Sequence, residues 1–279
     1  MTQYAMIIDI SRCTGCYCCF TACKDEYWDN EYPSFTAAQP KHGQFWMNLE
    51  KKERGKYPYV KAAYMPVPCM QCQSAPCMAA AEDNAVYRRA DGIVVIDPEK
   101  AVGQKQLTDS CPYGAIFWNE EINLAQKCTF CVHRLEQGLL PRCVQACPAD
   151  AITFGDLDDP QSEVAELLNS GRSEILHPEY ETAPLVAYID LFKMNTRFIA
   201  GAVIFSDSDE CAEGVDVTLS GGETELTTKT DNYGNFDFDG LAAGAYQLDF
   251  AASGYAPKTI RVTVEKDTFI PDIDMSPVQ

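Results

Sequence analysis

Basic residues are scarce in this 279-residue chain, where 22 Lys and Arg face 41 Asp and Glu for a formal net charge of −19. That balance argues against a nucleic-acid partner, because neutralising phosphates requires clustered Lys and Arg, and against docking on an anionic membrane. No run of about 18 apolar residues is present to span a bilayer. Residues 1–10 lack the basic and apolar regions of an export signal, so a cytoplasmic protein is expected. A Gly-rich dinucleotide loop and a P-loop are both missing, which removes the usual nucleotide-dependent enzymes. The three histidines, His42, His133 and His177, lie far apart without a Ser or carboxylate constellation and read as structural. No catalytic residue is expected.

What the chain has in excess is cysteine, with 14 residues. A disulfide framework belongs to short secreted chains, so the choice is between zinc, iron–sulfur and reduced structural thiols. Cys13, Cys16, Cys19 and Cys23 have the C-x2-C-x2-C-x3-C spacing of a bacterial iron–sulfur run. There, three thiolates hold one 4Fe–4S cluster while the fourth reaches a second cluster. Cys128, Cys131, Cys143 and Cys147, followed by Pro148, form the answering run. Interleaving gives one cluster on Cys13, Cys16, Cys19 and Cys147, and another on Cys23, Cys128, Cys131 and Cys143.

The middle of the chain holds a second, broken pair. Cys69, Cys72, Cys77 and Cys111 form one complete ligand set. The complementary positions hold Ala81, Ala101, Gln104 and Leu107, so one whole site is emptied while its neighbour is kept. The count is three clusters on twelve ligands, with Cys18 and Cys211 left over as spare or packed thiols. A zinc ribbon on Cys128, Cys131, Cys143 and Cys147 is the competing reading, disfavoured by the three-cysteine runs and the Cys-Pro endings.

Strands are expected near residues 4–10, 44–49, 60–67 and 184–190, with a hairpin turning at Asp91-Gly92. Residues 24–57 otherwise read as a long irregular insertion. Cys111-Pro112 and Cys147-Pro148 are each followed by a short apolar strand, an internal repeat, and a short helix is expected within 158–171. From about Phe198 short alternating strands and Gly-rich turns argue for an antiparallel sandwich or barrel. This segment carries 4 Lys and Arg against 15 Asp and Glu, which reads as solvation of a β surface. The fold class is therefore α+β: a duplicated ferredoxin-like domain with insertions over 1–197, then an all-β domain over 198–279.

The stretch Lys127-Cys128-Thr129-Phe130-Cys131, with Arg134, Gly138, Pro141 and Cys143-Val144-Gln145-Ala146-Cys147-Pro148, resembles the electron-transfer subunits of the molybdopterin oxidoreductases. Cys69-x2-Cys72-x3-Pro76-Cys77 and Cys111-Pro112-Tyr113-Gly114-Ala115 share that resemblance, which covers roughly residues 1–195. Members typically carry four 4Fe–4S clusters, so this chain departs by one. The last 80 or so residues resemble the transthyretin-like or carboxypeptidase regulatory-like β-sandwich, through Thr230-Asp231-Asn232-Tyr233-Gly234-Asn235-Phe236 and Gly244-Ala245-Tyr246. The resemblance implies a wire that serves a large catalytic subunit, in a heterodimer or a multiple of it, with the molybdenum bis-pterin guanine dinucleotide held by that partner. Formate dehydrogenases and sulfur-compound reductases are alternative destinations. A scaffold whose β domain docks the large subunit is an alternative of another class.

Overall fold

The computed structural model describes residues 2–222 and 224–278 and divides into two compact units. The first comprises residues 1–51 and 63–191, the second residues 52–62 and 192–279.

In the first unit, strand Tyr4–Asp9 pairs antiparallel with Ile152–Asp156 and parallel with Val186–Ile189, so its central residues are buried on both faces. That double burial is why Tyr-Ala-Met-Ile-Ile-Asp reads as a continuous apolar run. Ala5 and Ile7 meet Val164 of helix Glu163–Asn169 in one small core. The parallel pairing brings residues more than 170 positions apart into one sheet and closes the ferredoxin-like unit.

The middle of the chain contributes two short hairpins, Val86–Arg88 with Val94–Ile96 and Ile116–Asn119 with Leu124–Lys127. The first turns at Asp91-Gly92 as its sequence requires, Gly92 lying at φ 83°. Short helices Pro76–Ala80 and Gln106–Asp109 cover their shared core.

Residues 24–57 are more ordered than their composition suggests. Helix Cys18–Tyr27 extends into them, and Met47–Lys56 is a full strand partnered by Tyr59–Pro68. The run Glu50 to Lys56 is charged because most of it faces water; Arg54 alone is buried there. Residues 52–62 group with the second unit, a discontinuity that a linear reading of the chain does not register.

The second unit is a β-sandwich. One sheet is built on Arg197–Phe205, flanked by Asn235–Leu241 and by Thr268–Met275, the latter in parallel. The other runs Thr224–Lys229, Asp216–Gly221, Gly244–Ala251 and Lys258–Val264, all antiparallel. Alternate residues Val217, Leu219, Leu248 and Phe250 from one sheet meet Val203, Phe236 and Ile273 from the other, the period-2 pattern the sequence carries. Asp231 Oδ1 accepts from the Tyr233 and Asn235 amides, both at 2.8 Å, which fixes the Asn-Tyr-Gly turn. On this unit the bidentate Arg54–Asp239 pair closes at 2.8 and 2.9 Å, with Lys61 also on Asp239 at 3.1 Å. Cys211 is a free thiol, exposed on its short strand.

Candidate electron-transfer site

Two backbone devices aim the first cysteine run inward. Gly15 and Tyr17 take left-handed conformations at φ 69° and 62°, turning the loop around its own thiols. A Cβ at Gly15 would lie 2.5 Å from the Tyr64 ring, so the close approach admits only glycine. Helix Cys18–Tyr27 then presents Cys19, Cys23 and Tyr27, spaced by four, on its buried face.

Cys13, Cys16 and Cys19 line a partly open hollow of about 320 Å3 together with Cys147. Cys69, Cys72, Cys77 and Cys111 line another of about 350 Å3, walled by Val94, Ile116 and Lys127. Cys23, Cys128, Cys131 and Cys143 are all buried, and the Cys143 thiol is pushed up by burial and by the charges of Cys131, Cys23 and Cys128 around it. Burial first, with neighbouring cysteine charges behind it, pushes Cys19 and Cys128 up to about 12 and Cys72 to about 11. The protein alone therefore holds these groups as neutral thiols, and iron would supply the positive charge that turns them into thiolates.

Amide donors to sulfur are already in place. Ala115 N and Ala151 N donate to Cys111 Sγ and Cys147 Sγ at 3.4 and 3.3 Å. Each donor is four residues beyond its cysteine, after a left-handed residue, Gly114 in one loop and Asp150 in the other. The Cys-Pro repeat in the sequence is thus a repeat of one hydrogen-bonded turn. Phe130 N and Arg142 N add bonds to Cys128 Sγ and Cys131 Sγ, each at 3.4 Å. Thiol groups spread around hollows, with amides aimed at sulfur, suit a multi-iron cluster. Among the described residues no three His, Cys, Asp or Glu converge closely enough for a single ion. The zinc-ribbon set is also split, since Cys147 lines the hollow of Cys13, Cys16 and Cys19.

Proximity orders the quartets. Cys19 of the first set and Cys23 of the second share the buried face of helix Cys18–Tyr27, and Gln71, between Cys69 and Cys72 of the third, donates to the Cys128 carbonyl of the second at 2.9 Å. The second quartet is therefore the middle one.

Ala81, Ala101, Gln104 and Leu107, the positions without thiols, are packed. Ala101 and Leu107 are fully buried with Val86, Ile96, Ile116 and Leu124, and Ala81 flanks them. Gln104 is satisfied by bonds to the Glu82 amide and carbonyl and to the Lys100 carbonyl, at 3.0, 3.2 and 3.0 Å.

Further side chains pack around the quartets. Buried Tyr27 shares a 2.9 Å hydrogen bond with Thr129 beside Cys128 and Cys131. His133, structural as expected, bonds Glu26 at 3.0 Å and stacks on Tyr32 at 3.5 Å. Gln71 and Lys127 are buried polar residues between the second and third quartets; the only signal was their position beside ligands. Cys18 is half-buried and lies off the walls of the first hollow.

Comparison with known proteins identifies the family. Residues 60–157 match a 4Fe-4S dicluster domain and residues 199–276 a carboxypeptidase regulatory-like domain. The chain is 41% identical over 259 residues to the pyrogallol hydroxytransferase small subunit of Pelobacter acidigallici, covering 91% of this chain and 92% of that one. The chain belongs to the iron–sulfur subunits of the molybdopterin oxidoreductases. A tetrathionate reductase subunit of Salmonella typhimurium is 39% identical, over 68% of this chain and 73% of its own length. The arsenate respiratory reductase iron–sulfur subunit of a Shewanella species is 30% identical, over 70% of this chain and all of its own length. The protein carries 4Fe–4S clusters and transfers electrons within an oxidoreductase whose catalytic centre belongs to a larger partner. Among the described residues no helix is long and apolar enough to cross a membrane.

Proposed function

We propose that this protein holds three 4Fe–4S clusters and serves, in the cytoplasm, a molybdenum partner of the pyrogallol hydroxytransferase type. The ligand sets are Cys13, Cys16, Cys19 and Cys147; Cys23, Cys128, Cys131 and Cys143; and Cys69, Cys72, Cys77 and Cys111. When bound, such clusters undergo one-electron changes with potentials set by charge, solvent access and hydrogen bonds to sulfur. The protein's part is to hold the thiolates, donate amides to sulfur and keep water from the middle quartet, all four of whose cysteines are buried.

One observation carries the choice of enzyme. The match to the pyrogallol enzyme's small subunit covers 91% of the chain, whereas the tetrathionate and arsenate reductase subunits match only 68% and 70% of it. The packed fourth position supports the same reading, because a transfer of hydroxyl between aromatic rings involves no net oxidation and needs no long exit path.

The test is the purified complex, with its metal content and its acceptor requirement. About twelve irons in this chain are expected, from three four-iron clusters, with turnover of pyrogallol in the absence of an external electron acceptor. Sixteen irons would refute the ligand count. Dependence on an acceptor such as tetrathionate would favour the reductase reading, which the 39% identity to the tetrathionate enzyme keeps as second choice.

A further inference from the structure

Lys127 is 2% exposed, among the largest fully buried side chains of the protein. Its ammonium donates to the carbonyls of Val94 and Cys128, and among the described residues no Asp or Glu pairs with it. An ammonium has three donors, so one N–H remains, and Lys127 forms part of the wall of the hollow shared by Cys69, Cys72, Cys77 and Cys111. Buried Gln71 braces the same wall, accepting from Val94 N and donating to Cys128 O at 2.9 Å each. An isolated charge that deep is costly unless something negative faces it. The hollow of the first quartet, by contrast, has no basic side chain in its wall among the described residues.

We propose that Lys127 is the fixed counter-charge of the third quartet's cluster and holds its reduction potential above what the same four ligands would give alone. A four-thiolate cubane is anionic and gains a further negative charge on reduction, so a buried cation facing it favours the reduced form. Electrons would then collect at the third position, beside the packed fourth site. This rests on the three-cluster reading.

The experiment is a redox titration of the purified complex by electron paramagnetic resonance, comparing the parent with Lys127→Met and Lys127→Arg. The signal of the third cluster is the one absent from Cys111→Ser. In Lys127→Met the reduced-to-oxidised ratio of that signal at fixed potential is expected to fall at least about tenfold, about 59 mV for one electron. Lys127→Arg should stay near the parent. If Lys127→Met instead loses about four irons while Lys127→Arg keeps them at the parent potential, the charge requirement stands. Full iron with an unshifted potential in Lys127→Met overturns the proposal. Loss of iron or a lowered potential in Lys127→Arg also overturns it, because lysine's shape rather than its charge would then matter. A parent complex without a third signal would overturn the cluster assignment itself, a separate result.

Discussion

Leu107 stands where a fourth cluster would take a thiolate, and truncating it separates a ligand vestige from a core residue. The side chain is fully buried among Val86, Ile96, Ile116 and Leu124. Leu→Ala at such a site costs about 2–5 kcal/mol, the spread reflecting how far the surroundings collapse into the cavity. Here the walls are two short hydrogen-bonded hairpins and the turn held by Gln104, which resist collapse, so about 3 kcal/mol is expected. In a unit of this size each kcal/mol moves the melting midpoint by about 2–4 °C, giving a fall of about 6–12 °C. The assay is thermal unfolding by circular dichroism at one scan rate, because cluster loss makes unfolding irreversible. Iron is measured in parallel and should stay at the parent level. An unshifted midpoint, or a loss of iron with an intact fold, would refute the reading of this position as core.

Three further outcomes are expected. Cys147→Ser should remove the same cluster signal as Cys13→Ser, and Cys23→Ser the same signal as Cys143→Ser; joint loss of the Cys147 and Cys143 signals would instead favour a local four-cysteine site. Gly15→Ala should deplete iron from the first quartet, since its Cβ would strike the Tyr64 ring, while Gly43→Ala, with open space around it, should keep the parent content; equal iron in both would count against the packing argument. Asp239→Asn should destabilise the β-sandwich by about 2 kcal/mol, less than the full cost of orphaning a buried charge because Asp239 retains some exposure. Burial raises the Asp239 carboxyl, but bonds from Arg54, the Gly240 amide and Lys61 outweigh it and hold the group below the usual carboxylate range. Its contribution is therefore present above the ordinary carboxylate value and lost as pH falls through the depressed one. Acid titration of stability should show a shallower low-pH limb in Asp239→Asn, and an unchanged limb would contradict the assignment.

The iron–sulfur family was legible because its chemistry needs one residue type at rigid local spacings. The runs around Cys13 and Cys128 state their chemistry without any fold, and the positions without thiols stand out by counting on from Cys77 to Ala81 and back from Cys111 to Leu107, Gln104 and Ala101. The β-sandwich was legible for a similar reason, since alternation at Val217 and Leu219 or Leu248 and Phe250 follows from strand geometry. The charged strand Met47–Lys56 was not legible: its outward side chains hide a pattern whose one buried member, Arg54, is made tolerable by Asp239, 185 positions away.

By itself, then, the sequence determined which thiols exist and how they are spaced, because those are properties of neighbouring residues. Only the tertiary structure decided that the second quartet lies between the other two and that the emptied position is filled with packed side chains. It alone set a buried lysine against the third hollow. Burial and through-space charge depend on what distant segments bring together, and no local spacing encodes them.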